Sequence, residues 1–266
     1  MIHVCAYYNL KKDPFPKDID PKDIFLTETI KELHQRLEYI KHHRGIMLIT
    51  GVAGAGKTVH IRTFVANLND NLYKYFYIPL STVNVLDFYR QLCRTLGVEP
   101  SYRKAQLFSS IQNIIQDYVE NNKKIPVIIF DEAHLLKNEN FYELQIITNF
   151  RLDSIDPAIF ILLGQPHLRE RLLTPIHQSF DQRIGLKFHL PALAKEETFA
   201  YVQHHLKLAG ALCPIFNQNA LCALYQSSAG VCRIINKLAR KTLILGAFEK
   251  QDTLTEEHVY RASKEL

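Results

Sequence analysis

The stretch Ile46-Met47-Leu48-Ile49-Thr50-Gly51-Val52-Ala53-Gly54-Ala55-Gly56-Lys57-Thr58 decides how this chain folds. Its last eight residues fit the pattern G-x-x-x-x-G-K-[ST], whose glycines allow the backbone to turn its N–H groups toward a phosphate. The apolar run before the pattern has the length of a strand, and helical spacing follows over Thr58–Leu68. A strand, a glycine-rich loop and a helix in this order predict a phosphate-binding loop.

The side chains of this loop supply the other contacts that a nucleoside triphosphate needs. Lys57 is expected to reach the β- and γ-phosphate oxygens, and the Thr58 hydroxyl is expected to bind Mg²⁺. The helix that begins here adds the positive end of its dipole. The residues predicted to bind ATP are Gly51, Val52, Ala53, Gly54, Ala55, Gly56, Lys57, Thr58 and Val59. A glycine-rich turn without a ligand is the alternative.

An apolar strand farther along the chain ends in two carboxylates. Val127–Phe130 leads directly into Asp131 and Glu132. At the carboxyl edge of a parallel sheet, both side chains would point into the nucleotide crevice. Asp131 is then predicted to hold Mg²⁺ through its water shell, and Glu132 to orient and polarise the attacking water. The start of a capped helix is the alternative for such a pair taken alone.

Strand and helix patterns alternate up to residue 190, and only helix patterns follow. Strands are predicted at Ile46–Thr50, Lys74–Leu80, Pro126–Phe130, Ala158–Leu163 and Leu186–Leu190. Helices are predicted at Thr27–Lys41, Thr58–Leu68, Val85–Leu96, Ala105–Asn121, Phe141–Arg151, Lys195–Leu208, Asn217–Gln226, Val231–Leu245 and Thr255–Ser263. The alternation predicts an α/β fold with a parallel sheet between helices. We expect a nucleotide-binding domain over residues 1–190 and a helical lid domain over residues 191–266.

The composition excludes several classes of protein. Of the 266 residues, 47% are hydrophobic and 22% are charged, as in globular domains. The apolar runs are too short to cross a bilayer and the N-terminus lacks the apolar core of a secretion signal, so we predict a cytoplasmic protein without a membrane segment. The five cysteines include no CxxC pair, which favours reduced thiols over zinc ligands or disulfides. The net charge of +5 neither requires nor excludes a nucleic-acid partner.

Three polar residues later in the chain could complete the site. Gln165 follows the fourth predicted strand and could position the water or sense the γ-phosphate, unless it is a turn residue. Arg183 could reach into a neighbouring subunit's site and neutralise transition-state charge. A surface charge is the alternative for Arg183, and Arg169 and Arg171 are competitors for its role. Arg233 could fold over the γ-phosphate from the lid, or it could pair with a carboxylate at a helix end.

Taken together, these residues resemble the AAA+ ATPases, and over nearly the whole chain they resemble the ExeA-like branch. The matching stretches are Tyr8-Asn9-Leu10, Asp13-Pro14-Phe15, Arg44–Thr50, Phe130–Leu136, Leu163–Leu172, Gln182-Arg183-Ile184 and Gly230–Asn236. The resemblance implies a sheet of order 5-1-4-3-2 with a C-terminal helical lid. It gives Arg183 the finger role, Gln165 the first sensor position and Arg233 the second, and it places Tyr7–Phe15 over the adenine. Cys232 stands where the family often has proline, and Gln165 where many members have asparagine or threonine.

Two kinds of protein carry such a domain. One is a secretion ATPase that continues into a membrane segment, and the other is a stand-alone ATPase similar to the transposition proteins TnsC and MuB. Because the sequence ends at Leu266 directly after the lid, the second is favoured. We predict an ATP-dependent regulator that forms a homo-oligomeric ring or filament on duplex DNA, recruits a DDE transposase or target-selection protein, and disassembles on hydrolysis. An ExeA-type secretion or assembly module, and a helicase loader or initiator, are the alternatives.

Basic side chains indicate where DNA would bind. Arg90, Arg94, Arg103 and Lys104 form a loose group after the second strand, and Lys123 and Lys124 form another before the third. The resemblance implies that the region after the second strand faces the DNA. A solvated helix face is the alternative. Because no base-reading motif is visible, binding is expected to be indifferent to sequence.

Overall fold

Five parallel strands form one sheet in the computed structural model, which describes residues 2–79 and 84–264. The strands are β1 (Gly45–Gly51), β2 (Tyr73–Pro79), β3 (Ile125–Asp131), β4 (Ile159–Gly164) and β5 (Ile184–Leu190). Their order across the sheet is β2-β3-β4-β1-β5, and every pairing is parallel. This confirms the predicted order 5-1-4-3-2, counted from the opposite edge.

Helices precede the first strand and alternate with the strands along the chain, and among the described elements only helices follow β5. They are α1 (Ile2–Tyr7), α2 (Glu28–His43), α3 (Lys57–Ala66), α4 (Val85–Leu96), α5 (Lys104–Glu120), α6 (Asn138–Ile147), α7 (Pro166–Leu172), α8 (Gln178–Arg183), α9 (Lys195–Leu208), α10 (Gln218–Ser228), α11 (Cys232–Phe248) and α12 (Glu256–Ser263). The helices α1, α7 and α8 were not predicted. Leu80, the predicted end of the second strand, lies outside the described residues.

The helix predicted over Phe141–Arg151 is too long at its C-terminal end. The observed α6 ends at Ile147, and a turn follows in which Arg151, Leu152 and Asp153 all have positive φ. Left-handed backbone at consecutive L-residues is incompatible with an α-helix. The spacing of apolar side chains did not reveal this turn.

The position of each strand in the sheet explains its burial. Every residue of β1 and β4 is buried, as expected for central parallel strands covered on both faces, whereas β2 is an edge strand and leaves Tyr75 and Tyr77 partly exposed. The register sets Pro79 beside Asp131 and Thr50 beside Gly164. The carboxyl ends of β1, β2, β3 and β4 therefore lie at one edge of the sheet.

Packing divides the chain into two compact units. The α/β unit comprises Lys31–Gly51 and Lys57–Leu190, and the helical unit comprises the described residues within Met1–Ile30, Val52–Gly56 and Pro191–Leu266. The predicted domains differ from these units in where residues 1–30 and 52–56 fall. Residues 1–30 belong to the helical unit because four apolar side chains of this segment are buried in its core, namely Val4, Tyr8, Leu10 and Phe15.

The segment before α2 is tied to the helical unit by polar contacts as well. Arg240 forms an ion pair of 2.9 Å with Asp13, and the His205 ring lies 2.9 Å from the Pro14 carbonyl oxygen. The backbone N–H of Lys11 donates to the Ala209 carbonyl at 2.7 Å. The position of Tyr7–Phe15 over adenine, which the resemblance implies, stays a prediction. Among the described helices, none is long and apolar enough to cross a bilayer.

Candidate nucleotide hydrolysis site

The glycines of the phosphate-binding loop are required by its geometry. Gly54 and Gly56 have φ values of +85° and +106°, which L side chains rarely adopt. A Cβ on Gly54 would lie 2.7 Å from Cβ of Arg233, and a Cβ on Gly51 would lie 2.5 Å from the Leu190 carbonyl oxygen. Close approach of the backbone to its surroundings therefore explains the glycine pattern.

The polar groups beside this loop suit a triphosphate with its metal ion. Lys57 Nζ donates to the Gly51 carbonyl at 2.7 Å, so the ammonium is held back against the loop. The Thr58 hydroxyl donates to Asp131 Oδ2 at 3.2 Å. A hydroxyl beside a carboxylate offers the hard oxygen donors that Mg²⁺ prefers, and an ammonium suits phosphate oxygens. These residues thus fit Mg²⁺ and ATP.

The Asp131 carboxylate is buried and accepts three hydrogen bonds. It is 6% exposed, its Oδ1 accepts from the Glu132 backbone N–H at 2.8 Å, and its Oδ2 accepts from Thr58 and from the Tyr77 hydroxyl. The Tyr77 bond measures 2.7 Å. Burial, followed by the bond to Asp131, raises the pKa of Tyr77, so its hydroxyl remains a donor. The sequence analysis did not select Tyr77 as a site residue. Its contact with Asp131 depends on the register of β2 against β3, which the sequence pattern does not give.

Glu132 has the opposite environment. Its side chain is 55% exposed, and its φ of +54° is left-handed. A non-glycine residue in this region costs about 1 kcal/mol or more, and such residues concentrate at functional sites. One carboxylate of the pair is therefore held in place by hydrogen bonds, while its neighbour is open to water, and their separate roles stay a prediction.

The structure brings Gln165 to the acidic pair through a residue for which no role was predicted. Gln165 Nε2 lies 3.1 Å from His134 Nε2, and His134 Nδ1 lies 3.3 Å from Glu132 Oε2. Gln165 directly follows β4 and His134 lies in the turn after β3, so neighbouring strand ends bring them together. His134 belongs to the quoted stretch Phe130–Leu136, but its spacing from Glu132 gave no signal of contact.

The arginine candidates have different surroundings. Arg183 forms an ion pair of 2.8 Å with Asp153 of its own chain, and its side chain is 18% exposed. Arg171 donates to the carbonyl oxygens of His134 and Leu136 at 3.1 and 2.6 Å, so it braces its own chain. Arg169 is exposed. The finger role of Arg183 would require a neighbouring subunit and stays a prediction.

Arg233 lies at the start of α11 in the helical unit. Its backbone N–H donates to the Gly54 carbonyl at 3.1 Å, so it contacts the tip of the loop. Cys232 occupies the first helical position, where a proline is also well tolerated because the N–H needs no helical partner. Burial raises the pKa of the Cys232 thiol to about 12, which makes it unreactive. The sensor role of Arg233 stays a prediction.

The predicted DNA-binding group divides into two parts. Arg90 and Arg94 line a groove of about 750 Å³. Lys104 instead forms an ion pair with Glu143, and Arg103 is outside the groove lining. The groove is lined by Asp87, Arg90, Gln91, Arg94, Glu99, Pro100, Ser101 and Tyr102, so its charges are mixed.

Comparison with known proteins gives relatives for the chain as a whole. General secretion pathway protein A of Aeromonas hydrophila is 29% identical over 242 residues, which are 90% of this chain and 44% of that protein. This relative supports the ExeA-like branch, although the chain spans less than half of its length. One similar solved structure is ORC2 of Aeropyrum pernix in ADPNP-ADP complexes, with 19% sequence identity and a TM-score of 0.67 over 96% of this chain and 72% of that chain. Another is Drosophila ORC bound to DNA, with 15% sequence identity and a TM-score of 0.71 over 98% of this chain and 65% of that chain. At these identities they show the fold.

A family match covers the candidate site itself. The AAA domain family matches residues 40–172, which are half of the chain. The matched range contains the phosphate-binding loop, the acidic pair and Gln165. The chain therefore belongs to the AAA domain family of ATPases.

Proposed function

We propose that this chain hydrolyses ATP with Glu132, assembles with copies of itself on duplex DNA in the ATP-bound form, and in that form regulates a DDE transposase. The observation that carries the catalytic part is the contrast between the buried Asp131 and the exposed Glu132 at one strand end. The DNA and transposase parts rest on the resemblance and on the groove that Arg90 and Arg94 line.

The side chains divide the hydrolytic work among them. Lys57 would bind the phosphate oxygens, and Thr58 and Asp131 would hold Mg²⁺, which would neutralise charge on the phosphates. Glu132 accepts the proton of the attacking water. Because the Glu132 carboxylate is exposed, whereas Asp131 is buried and held by Thr58 and Tyr77, Glu132 is the carboxylate that can meet the attacking water.

The proposed assembly depends on Arg183, which would reach the nucleotide bound by a neighbouring subunit. The guanidinium now faces Asp153 at 2.8 Å, so an incoming phosphate would replace one anionic partner by another. The arginine stays paired before and after such an exchange, and the Asp153 carboxylate, which is 57% exposed, is left to water. ATP held at the contact between two copies would then couple nucleotide binding to oligomerisation.

The DNA contact is assigned to the groove that Arg90 and Arg94 line. Guanidinium groups suit phosphate oxygens, and the neighbouring Tyr102 is 89% exposed and could stack on a sugar or base. Asp87 and Glu99 line the same groove and reduce its attraction for DNA. Repetition of a weak contact in each subunit of an oligomer would compensate for this.

Fluorescence anisotropy of a labelled duplex tests this proposal. Binding is expected with ATP and not with ADP, and the logarithm of affinity should fall with the logarithm of salt concentration by about 0.9 for each phosphate neutralised. The double variant Arg90→Ala/Arg94→Ala should reduce this slope. Lys123→Ala/Lys124→Ala removes the same charge from the other basic group of the α/β unit, so the two double variants compare the two candidate surfaces. Equal effects of the two double variants would contradict the groove, and absence of binding at low salt would contradict the DNA proposal.

A secretion or assembly ATPase is the second candidate, and the identity with general secretion pathway protein A favours it. In that case DNA is not a partner. An ATPase rate that is unchanged by duplex DNA at every salt concentration would support this candidate. Stimulation of the rate by DNA, lost in Arg90→Ala/Arg94→Ala, would support the first proposal.

A further inference from the structure

The His134 side chain is enclosed between two groups of the candidate site. It is 7% exposed, and its two ring nitrogens point to different partners. Nδ1 lies 3.3 Å from Glu132 Oε2, and Nε2 lies 3.1 Å from Gln165 Nε2. Within the described part of the chain, Nδ1 makes no well-aligned hydrogen bond. The contact with Glu132 is therefore close but incompletely formed.

The backbone that carries this ring is fixed independently of the ring. Arg171 donates to the carbonyl oxygens of His134 and Leu136, and its guanidinium lies over the Phe141 ring at 4.8 Å. On the opposite side, a Cβ on Gly164 would lie 2.4 Å from Leu168 Cδ2 and 3.5 Å from the His134 backbone nitrogen. The turn, the end of β4 and α7 thus pack closely, and the backbone that carries the ring is held in place.

One arrangement of protons satisfies both contacts. The Gln165 amide nitrogen can only donate, so His134 Nε2 is its acceptor, and the single N–H of a neutral ring lies on Nδ1, which faces Glu132. Burial lowers the pKa of His134 against the opposing effect of Glu132, and His167, Lys57 and Arg171 lower it further, so the ring is neutral. A neutral ring has a single N–H, and Nε2 must then accept a hydrogen bond from the Gln165 amide.

We propose that His134 is a positioning residue that couples Gln165 to Glu132, with Gln165 donating to Nε2 and Nδ1 donating to the glutamate. The proposal rests on the proposed function, since it assumes that Glu132 polarises the water. A displacement of Gln165 toward a phosphate would shift the ring and change the hydrogen bond to Glu132. Sensing of the nucleotide would thereby reach the group that activates the water.

Two substitutions separate the two ends of the ring. His134→Asn keeps an amide near the place of Nδ1 but cannot reach Gln165, and His134→Gln reaches the place of Nε2 but leaves Glu132 without its donor. Each is expected to lower kcat about tenfold while KM for ATP stays within about twofold, because nucleotide contacts are untouched. His177→Asn is the matched control, since His177 is also buried in the α/β unit and its Nε2 lies 3.0 Å from Asn138 Oδ1. This control should lower thermal stability and leave kcat unchanged.

A double-mutant cycle provides the decisive measurement. Gln165→Ala should lower kcat less in the His134→Gln background than in the wild type, because the coupled path is already broken, and its effect should be unchanged in the His177→Asn background. Independent, multiplicative effects of Gln165→Ala and His134→Gln would overturn the coupling, as would an equal loss of kcat in His177→Asn. If His134→Asn fails to fold, His134→Gln alone completes the cycle.

Glu132→Gln, measured beside these variants, separates the two levels of inference. If it hydrolyses ATP at the wild-type rate, the proposed role of Glu132 is wrong and the coupling has no target. If it is inactive while the cycle shows independent effects, the proposed function stands and only the role of His134 is wrong.

Discussion

In the α/β unit, polar side chains from neighbouring strand ends meet at one edge of the sheet, whereas in the helical unit the corresponding contacts are made by backbone. Asp131, Thr58 and Tyr77 share hydrogen bonds of 2.7 to 3.2 Å through their side chains. In the helical unit, the Gly54 carbonyl accepts from the Arg233 backbone N–H, and glycines allow the close approach. Substitutions of the side chains at the sheet edge should therefore lower activity, whereas substitution of a tightly packed glycine in the helical unit should lower stability.

Glu132→Gln is expected to have the largest effect on chemistry. The amide cannot accept a proton, so kcat should fall by about 10²–10³, within the range found for removal of a general base. ATP binding should be preserved, because Lys57 and Asp131 are unchanged. Steady-state ATPase assays and equilibrium binding of a fluorescent ATP analogue check both parts.

Lys57→Ala is the counterpart of this variant, because it should lose nucleotide binding itself. Hydrolysis at the wild-type rate by Glu132→Gln would refute the assignment of the water-polarising group. Loss of binding in both variants would show that the acidic pair serves binding alone.

Gly230→Ala should destabilise the helical unit by about 3 kcal/mol. Gly230 has φ +75°, and a Cβ there would lie 2.0 Å from the Leu193 carbonyl oxygen, so both strain and overlap oppose the methyl group. Thermal unfolding followed by circular dichroism measures the loss. Gly210→Ala is the control in the same unit, since Gly210 has φ +97° but its Cβ would meet only the flexible Lys11 side chain. Equal losses of stability in the two variants would show that backbone strain at positive φ, and not overlap with Leu193, determines the cost.

The same contrast explains what could be predicted from the sequence. The order of strand, glycine loop and helix, followed by an apolar strand ending in Asp131, is a local pattern, and it predicted the sheet and most of its helices. Local patterns also made Lys57, Thr58 and Glu132 candidate site residues, because each belongs to a continuous motif. Side-chain periodicity depends on which face is buried, so it succeeds wherever one core covers the element.

Local sequence patterns could not predict the side-chain contacts between neighbouring strand ends. Tyr77 meets Asp131 because of the register of β2 against β3, and His134 meets Gln165 because β3 lies beside β4. The packing of residues 1–30 with the C-terminal helices depends on contacts that are distant in sequence. Arg183 found a partner in Asp153 through a left-handed turn that apolar spacing does not encode.

A fall in pH should destabilise both units by a comparable amount. His60 in the α/β unit and His205 in the helical unit are buried, and burial lowers the pKa of each to about 4. The unfolded chain, in which the pKa of histidine is about 6.5, therefore binds more protons between these values, and stability is lost as the pH falls below 6.5. At pH 5 each histidine should cost about 2 kcal/mol relative to pH 7.5.

Urea unfolding at pH 7.5 and pH 5 tests this expectation. His60→Leu should remove part of the pH dependence, because the leucine takes up no proton. Substitution of the exposed His42 by glutamine is the control and should leave the dependence unchanged. A dependence that is the same in His60→Leu and the wild type would assign the acid sensitivity to other groups.

Tyr77→Phe should have the smallest effect and tests how far the side-chain network of the α/β unit extends. The ring stays, but Asp131 Oδ2 loses its 2.7 Å donor while the Thr58 donor remains, so the carboxylate is oriented less firmly. Partners of metal-binding carboxylates orient them for the ion. Because the Thr58 hydroxyl and the Glu132 N–H still donate to Asp131, the loss should be limited to about fivefold in Mg²⁺ affinity, with kcat at saturating Mg²⁺ nearly unchanged. The ATPase rate as a function of Mg²⁺ concentration measures this. Tyr75→Phe, on the same strand, is the control. An equal shift in Mg²⁺ affinity in that variant would show that the Tyr77 hydroxyl has no special role. A shift in Tyr77→Phe alone would extend the site to the edge strand β2.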